Sequence, residues 1–273
     1  MVTAFVAAAA VAFIIMPYIK QMLEVPGALK KNYLGEWIST GMGIGLLLPV
    51  LAGSIVLMYI EGADVRLILP VTLGISVMSL AGIVDDLLGD GDTKGLKGHF
   101  GCLFGGKLTT GGYKALVGGM TAVMVSVPIS ARFLEGFLNC IIVMLFTNLI
   151  NLLDLRPGRA IKTFFLAWGV TFLMPAFREH WYVLYPLAGG LAAYLPYEMG
   201  RKGMLGDAGS NGVGAALGIY YCLGTGLVQK ALIVTVLVLL HIAAEKFSFT
   251  KFINRNRILR YIDGVGNKGS GHA

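Results

Sequence analysis

The stretch Leu67-Ile-Leu-Pro-Val-Thr-Leu-Gly-Ile-Ser-Val-Met-Ser-Leu-Ala-Gly-Ile-Val-Asp-Asp86 decides the fold class of this 273-residue chain. Eighteen residues without a formal charge end abruptly in two adjacent carboxylates. About 20 apolar residues cross the hydrocarbon of a bilayer as a helix. Asp90, Asp92, Lys94 and Lys97 follow within a few residues. A helix leaving a membrane gains nothing structural from neighbouring aspartates, because like charges disfavour each other's ionised form. Acids at a helix C-terminus also oppose the macrodipole. A divalent cation or a cationic ligand relieves both, so the stretch points to metal or phosphate chemistry at a membrane surface.

The rest of the chain fits a polytopic, all-α membrane protein. Mean hydropathy is +0.75 and 14% of residues are charged, against about 25% in a soluble domain. Apolar runs centre on 2–19, 41–60, 67–84, 113–130, 136–153, 163–177, 180–197, 212–226 and 228–245, which predicts nine spans. Val2–Ile19 lacks the basic region of a signal peptide and reads as a retained first span. Cys102, Cys140 and Cys222 show neither metal-ligand spacing nor a disulfide framework. No repeat or linker divides the chain, which reads as a single integral-membrane domain over 1–273, and its 38 glycines suit close helix packing in lipid.

The distribution of charge sets the expected orientation. With the N-terminus outside, eighteen of the 22 Lys and Arg residues fall on inner segments and four outside, as the positive-inside rule requires. The net charge of +7 therefore belongs to membrane-facing loops and implies no nucleic acid. The expected cytoplasmic segments are 20–40, 85–112, 154–162, 198–211 and the tail 246–273, and the acids Asp85, Asp86, Asp154 and Asp207 all lie on them. In the tail, Phe249, Phe252, Ile253, Leu259 and Ile262 interleave with Lys251, Arg255, Arg257 and Arg260. That pattern suits either an amphipathic helix on inner-leaflet lipids or a basic stop-transfer tail.

Three further groups carry chemistry. Asn148, Asn151 and Asp154, spaced i, i+3, i+6 toward the end of the fifth run, read as one polar helical face, which is costly in lipid without partners. An interhelical hydrogen-bond seam explains the asparagines as well. Arg156 and Arg159 follow, placed to meet an anion. In Met204-Leu-Gly-Asp-Ala-Gly-Ser-Asn211, Gly206 and Gly209 let backbone approach a ligand, and N–H groups at a helix start favour anions. Ordinary turn chemistry produces the same string. His241 and Glu245 stand i, i+4 near the end of the ninth run, a spacing that a plain hydrogen bond also satisfies. Lys107 and Lys114 bracket glycine pairs that suit an interfacial loop, while Lys114 also serves simply to anchor a span.

Together, Gly82-Ile-Val-Asp-Asp86, Lys94-Gly-Leu96, Asn148-x-x-Asn151-x-x-Asp154, Gly206-Asp-Ala-Gly-Ser210 and the tail from His241 to Arg257 resemble the polyprenyl-phosphate N-acetylhexosamine-1-phosphate transferase superfamily. That group includes the phospho-N-acetylmuramoyl-pentapeptide and N-acetylglucosamine-1-phosphate transferases. The resemblance implies transfer of a sugar-1-phosphate from a UDP-N-acetyl sugar to polyprenyl (undecaprenyl) phosphate, releasing UMP, in peptidoglycan or other surface-glycan synthesis at the plasma membrane. It implies Asp85, Asp86 and Asp154 as catalytic carboxylates, the first two beside the lipid phosphate. Asp207, with Asp154, is expected to hold Mg2+, or Mn2+ in its place. Lys94, Lys97, Asn148, Asn151, Arg156, Arg159, Gly206, Ser210 and His241 are the expected substrate-binding groups. The implied partners are the polyprenyl lipid, the nucleotide sugar and inner-leaflet lipids; a homodimer is left open.

The sequence also departs from that pattern. It is shorter than typical members and is expected to lack a final span. The central motif reads Asp154-Leu-Arg-Pro-Gly158, with Pro157 where the family carries a second acid, and Met204-Leu205 stand where an aromatic is common. The histidine-rich motif of the pentapeptide transferases is missing. Two other readings stay open. A lipid-binding scaffold or transporter-like protein accommodates the altered nucleotide motif. An intramembrane prenyltransferase requires paired Asp-x-x-x-Asp clusters, of which only Asp86 and Asp90 supply one.

Overall fold

The computed structural model describes residues 2–89 and 108–266. Helix α1 (Val2–Met22) leads into a short hairpin, β1 (Leu29–Lys31) and β2 (Trp37–Ser39). Then come α2 (Leu47–Ile55), α3 (Val65–Leu88), α4 (Thr110–Ser126), α5 (Phe133–Leu153), α6 (Arg159–Val170), α7 (Tyr185–Met199), α8 (Gly206–Leu223) and α9 (Leu227–Lys246). Two short tail helices, α10 (Phe249–Arg255) and α11 (Arg257–Gly264), close the described chain. Local chemistry sets several starts. The side chains of Asp64, Thr109, Ser248 and Asn256 accept from the first free N–H groups of α3, α4, α10 and α11, the capping bonds that such residues make at helix starts.

Six helical stretches among the described residues are long and apolar enough to cross a membrane: Val2–Met22, Met42–Ile60, Val65–Leu88, Thr110–Ile129, Phe133–Leu153 and Leu227–Lys246. The second includes 3-10 and π turns flanking α2. The remaining three of the nine expected spans correspond to α6, α7 and α8 and do not meet that standard. Helices α6 and α7 have 12 and 15 residues, about 18 and 22 Å at 1.5 Å per residue, against a hydrocarbon core of about 30 Å. Helix α8 has 18 residues but opens on Asp207, Ser210 and Asn211.

Helix α8 is instead the centre of the bundle, buried along most of its length and packed against α3 on one side and α5 on the other. Small residues make this possible. A Cβ on Gly82 of α3 would fall 2.2 Å from the carbonyl oxygen of Asp207. One on Gly214 of α8 would fall 2.5 Å from Thr147 Cα in α5, and one on Gly43 2.1 Å from Gly209 Cα. Backbone therefore meets backbone, the close approach that small residues allow between helices in lipid.

Contacts at helix ends give the chain its up-and-down course. The Thr3 hydroxyl donates to Glu61, and Lys230 pairs with Glu135 at 2.6 Å, at one end. The ends of α3 and α5, the starts of α4, α6 and α8, and the tail meet at the other. The segment expected only as a loop between the first two spans contains the hairpin. Asn32 Oδ1 accepts from the N–H groups of Leu34 and Glu36 at 2.8 and 3.0 Å, and Gly35 adopts φ 81°, so turn chemistry folds β2 back on β1. Gly111 and Gly112, expected in an interfacial loop, lie in the first turn of α4. Lys94, Lys97 and Lys107 lie outside the described residues.

Gly82→Ala is expected to lower stability by about 1–3 kcal/mol through overpacking. Gly119→Ala, at a site with open space, should stabilise by up to about 1 kcal/mol through helix propensity. Thermal melts in detergent distinguish the two.

Candidate functional site

The site grows from one buried side chain. Asp86, on the last turn of α3 and 6% exposed, reaches the start of α8, where its Oδ2 accepts from the Ala208 N–H at 2.9 Å. The Asp207 N–H is its second backbone donor, and Thr40 Oγ1 approaches Oδ1 at 3.4 Å. A carboxylate satisfies both the free amides of a helix start and its positive dipole end. Two glycines make room. Gly206 has φ 69°, a left-handed conformation natural to glycine, and a Cβ there would lie 2.6 Å from Asp86 Oδ2. A Cβ on Gly41, at φ 73°, would lie 3.3 Å from the same oxygen. The loop before α8 is stitched to the chain after the hairpin by Met204 N–H to Ser39 C=O, Met42 N–H to Met204 C=O and Gly43 N–H to Leu205 C=O, at 2.8–3.0 Å.

Asp85, next along α3, takes a different role. Lys114, from the first full turn of α4, donates to Asp85 Oδ2 at 2.6 Å and also to Asp207 Oδ2. Its ammonium thus stands between two carboxylates from different helices, as a small cation would. Lys114 is therefore more than a span anchor: it is the counter-ion of the cluster.

Asp86, Asp154 and Asp207 line one cavity of about 270 Å3, close to the lower end of the range for small-ligand pockets, about 300 Å3. Asn151, Arg156 and Gly206 from the expected set line it too, together with Pro157 and Met204, the two positions that depart from the family pattern. Arg156 is stacked on Tyr33, its guanidinium carbon 4.3 Å from the ring centre. Ser210, fully buried, donates to Asn151 Oδ1 at 3.1 Å and so sets that side chain from behind. Asp154 ends α5, and burial, followed by the neighbouring Glu198, Asp86 and Asp207 carboxylates, raises its pKa well above the ordinary carboxylate range.

Besides Ser210, four expected residues stand outside the cavity lining. Asp85 is held by Lys114 beside it. Asn148 is exposed: at about 100° per residue, i and i+6 lie about 120° apart on a helix, so the three polar residues do not share one face. Arg159 is 4% exposed and fully committed. Its Nε and Nη2 bind Asp263 at 2.8 Å each, and Nη1 binds Thr250 at 3.1 Å, which docks the tail on α6. His241 Nδ1 meets the Leu237 carbonyl one turn back at 2.7 Å, and Glu245 is exposed.

The sequence reading missed three contributors. Lys30, Asn32, Tyr33, Ile38 and Thr40 of the hairpin region line the cavity. Asn32 to Gly35, with its turn residues ahead of the Trp37-Ile-Ser run, was the available signal. Glu198, near the end of α7 and 2% exposed, accepts from the Gly158 N–H at 3.1 Å and also lines the cavity; a lone acid beside Met199-Gly200 gave no cue. Arg201, in the left-handed region at φ 54°, completes the lining and pairs with Glu36 at 3.8 Å.

Among the described residues no three His, Cys, Asp or Glu side chains are grouped closely enough to form a metal cluster by themselves. Magnesium commonly binds through one or two carboxylates plus substrate phosphates, and Asp207 and Asp154 provide hard oxygen donors in the lining of one cavity, so the donor chemistry suits it. No family model and no curated relative matches the chain.

Two outcomes test this description. Arg159→Ala and Asp263→Ala should each loosen the tail, with a double-mutant coupling of about 1–3 kcal/mol, and trypsin should cut faster within 251–260. Asp154→Asn should raise the melting temperature at neutral pH. A raised carboxyl pKa means that the stability carried by the protonated form is complete at acid pH and lost as pH rises, and the amide mimics that form. The gain should shrink on acidification.

Proposed function

We propose that this protein transfers a sugar-1-phosphate, of the N-acetylhexosamine type, from a UDP-sugar to a polyprenyl phosphate, with the site on the cytoplasmic face of a nine-pass membrane domain. The observation that carries the reading is the convergence of Asp86, Asp154 and Asp207, from α3, the end of α5 and α8, on one cavity together with Lys30, Arg156 and Arg201. A transfer between two phosphate-bearing substrates demands mainly position and charge neutralisation. The exposed apolar faces of α1, α4 and α9 suit surrounding lipid, and a polyprenyl chain remains in that lipid while its phosphate reaches the end of α3.

Each group then has a task. Lys30 and Arg156 draw the diphosphate of the donor into the cavity. Asp86, seated on the amides at the start of α8, keeps that helix start in place. Asp207 and Asp154 are the residues that would hold magnesium, which when bound offsets the charge of the phosphates. The acceptor phosphate is already largely ionised at neutral pH, so attack on the donor's sugar-bearing phosphorus requires orientation more than deprotonation. The new phosphorus–oxygen bond joins the lipid phosphate to the sugar phosphate, and UMP leaves with the electron pair of the broken diphosphate bond. Lys114, between Asp85 and Asp207, holds two acids together that would otherwise repel.

The test is exchange of labelled UMP into UDP-N-acetyl sugars by purified protein with magnesium and polyprenyl phosphate. Asp86→Asn and Asp207→Asn should each reduce exchange by about 100-fold or more, the scale for loss of one preorganised electrostatic group. Asn148→Ala, outside the cavity, should leave it close to wild type. Undiminished exchange in both aspartate variants, or no exchange from any sugar nucleotide by folded protein, refutes the assignment.

A further inference from the structure

The two tail helices expose more apolar surface than their own packing uses. Ile258, Tyr261, Ile262 and Val265 stand at i, i+3, i+4 and i+7 along α11 and just past its end. All four are exposed, Ile258 at 71% and Tyr261 at 75%. That spacing places them on one helical face. The docked face is a different one. Leu259 and Asp263 are half-buried, and α11 is held through Asp263 by Arg159 and through the carbonyls of Ile262, Asp263 and Val265 by Lys162. Scattered exposed apolar residues need no explanation, but an aligned set does. Phe247 and Phe252 enlarge the exposed surface, and the exposed Lys251, Arg255, Arg257 and Arg260 lie among these residues. Between 247 and 266 the sequence has one acid, Asp263, and Arg159 already neutralises it.

The position of the tail names what covers this surface. Helix α9 is long and apolar enough to cross a membrane and ends at Lys246. The Ser248 side chain already caps α10, so the tail starts three peptide steps from the end of α9, at most about 10 Å away. Further on, Asp263 ties it to the first residue of α6. A segment so placed, apolar on one face and basic beside it, has the make-up of a helix lying at the headgroup boundary. A basic stop-transfer tail requires the cations but no aligned apolar face. We propose that α10 and α11 form a docking surface for anionic lipid. Ile258, Tyr261 and Ile262 enter the boundary between headgroups and acyl chains, and Lys251, Arg255, Arg257 and Arg260 pair with lipid phosphates. The long basic side chains lay their stems on the apolar layer and keep their charges among the headgroups. Bundle and lipid thus hold α11 from two sides, the first through Arg159 and Lys162.

The experiment follows tryptic cutting within 251–260 of the full-length protein in detergent, in nanodiscs of phosphatidylcholine, and in nanodiscs with an equal share of phosphatidylglycerol. Cutting at the exposed Arg178, in the turn between α6 and α7 at the other end of the bundle, is the control. Phosphatidylglycerol should slow cutting of the tail by about 10-fold or more, since each basic residue near an anionic surface contributes about 5-fold. Arg178 should change by less than about 2-fold, and high salt should restore most of the tail cutting by screening exposed charge. The double variant Ile258→Ser, Tyr261→Ser should bring the rate to within about 3-fold of that in phosphatidylcholine, because it removes the apolar anchor. Equal cutting of the wild-type tail in the two kinds of nanodisc overturns the proposal, and so does full protection in the double variant. Protection already present in detergent that grows with protein concentration assigns the face to a second copy and overturns the lipid assignment. Should the double variant fail to fold, the wild-type comparisons still decide.

Discussion

The Asp86 carboxylate seated on the opening amides of α8 is the interaction on which the rest of the structure depends. It joins the end of α3 to the start of the central helix, and both must arrive at the same place for the bond to form. Gly82 lets the two backbones touch, Gly206 turns the chain into α8, and Gly41 leaves space above the carboxylate. The segment after the hairpin is sewn to the loop before α8, so the hairpin, and with it Lys30 and Tyr33, is positioned by the same junction. Fold and site are therefore one construction: the glycines that permit close packing also deliver the acids.

That construction concentrates negative charge where protein is least able to solvate it. Asp85, Asp86, Asp154, Glu198 and Asp207 all belong to one end of the bundle, and like charges raise one another's cost of ionisation. The structure answers with two kinds of counter-charge. Backbone amides hold Asp86 and Glu198, and the Lys114 ammonium holds Asp85 and Asp207. Asp154 stays buried among like charges, and its raised pKa is the mark of that conflict.

The apolar runs made the all-α membrane class legible, and three of the acids that the sequence singled out do meet in one cavity. Their convergence was readable because each closes or opens a helix, so helix direction alone brings them to one end. What the sequence hid was angular and pairwise. The i, i+3, i+6 spacing of Asn148 and Asp154 looks like a face but drifts by about a third of a turn. Arg159 looks like a free cation until Asp263, more than a hundred positions later, is brought to it. Glu198 lies in an apolar helix with no patterned neighbour, and only folding reveals that the Pro157-Gly158 turn needs an acceptor there. Helices α6 and α7, with 12 and 15 residues, are shorter than the apolar runs that announced them, because hydropathy registers composition but not where a helix ends.

The turn between α5 and α6 is where these strands of the structure meet. Within a few residues it presents Asp154, Arg156 and Pro157 to the cavity and gives the Gly158 amide to Glu198. Arg159, the next residue, is clamped by the tail. Met199 packs on both sides of this arrangement: a Cβ on Gly158 would fall 2.4 Å from its sulfur, and one on Gly266 2.7 Å from its methyl carbon. The tail helices carry exposed Phe252, Ile258 and Tyr261 among basic residues, a surface suited to anionic lipid. Arg159 and Met199 therefore tie the tail to the chain beside the cavity-lining Pro157 and Glu198 without passing through the core of the bundle.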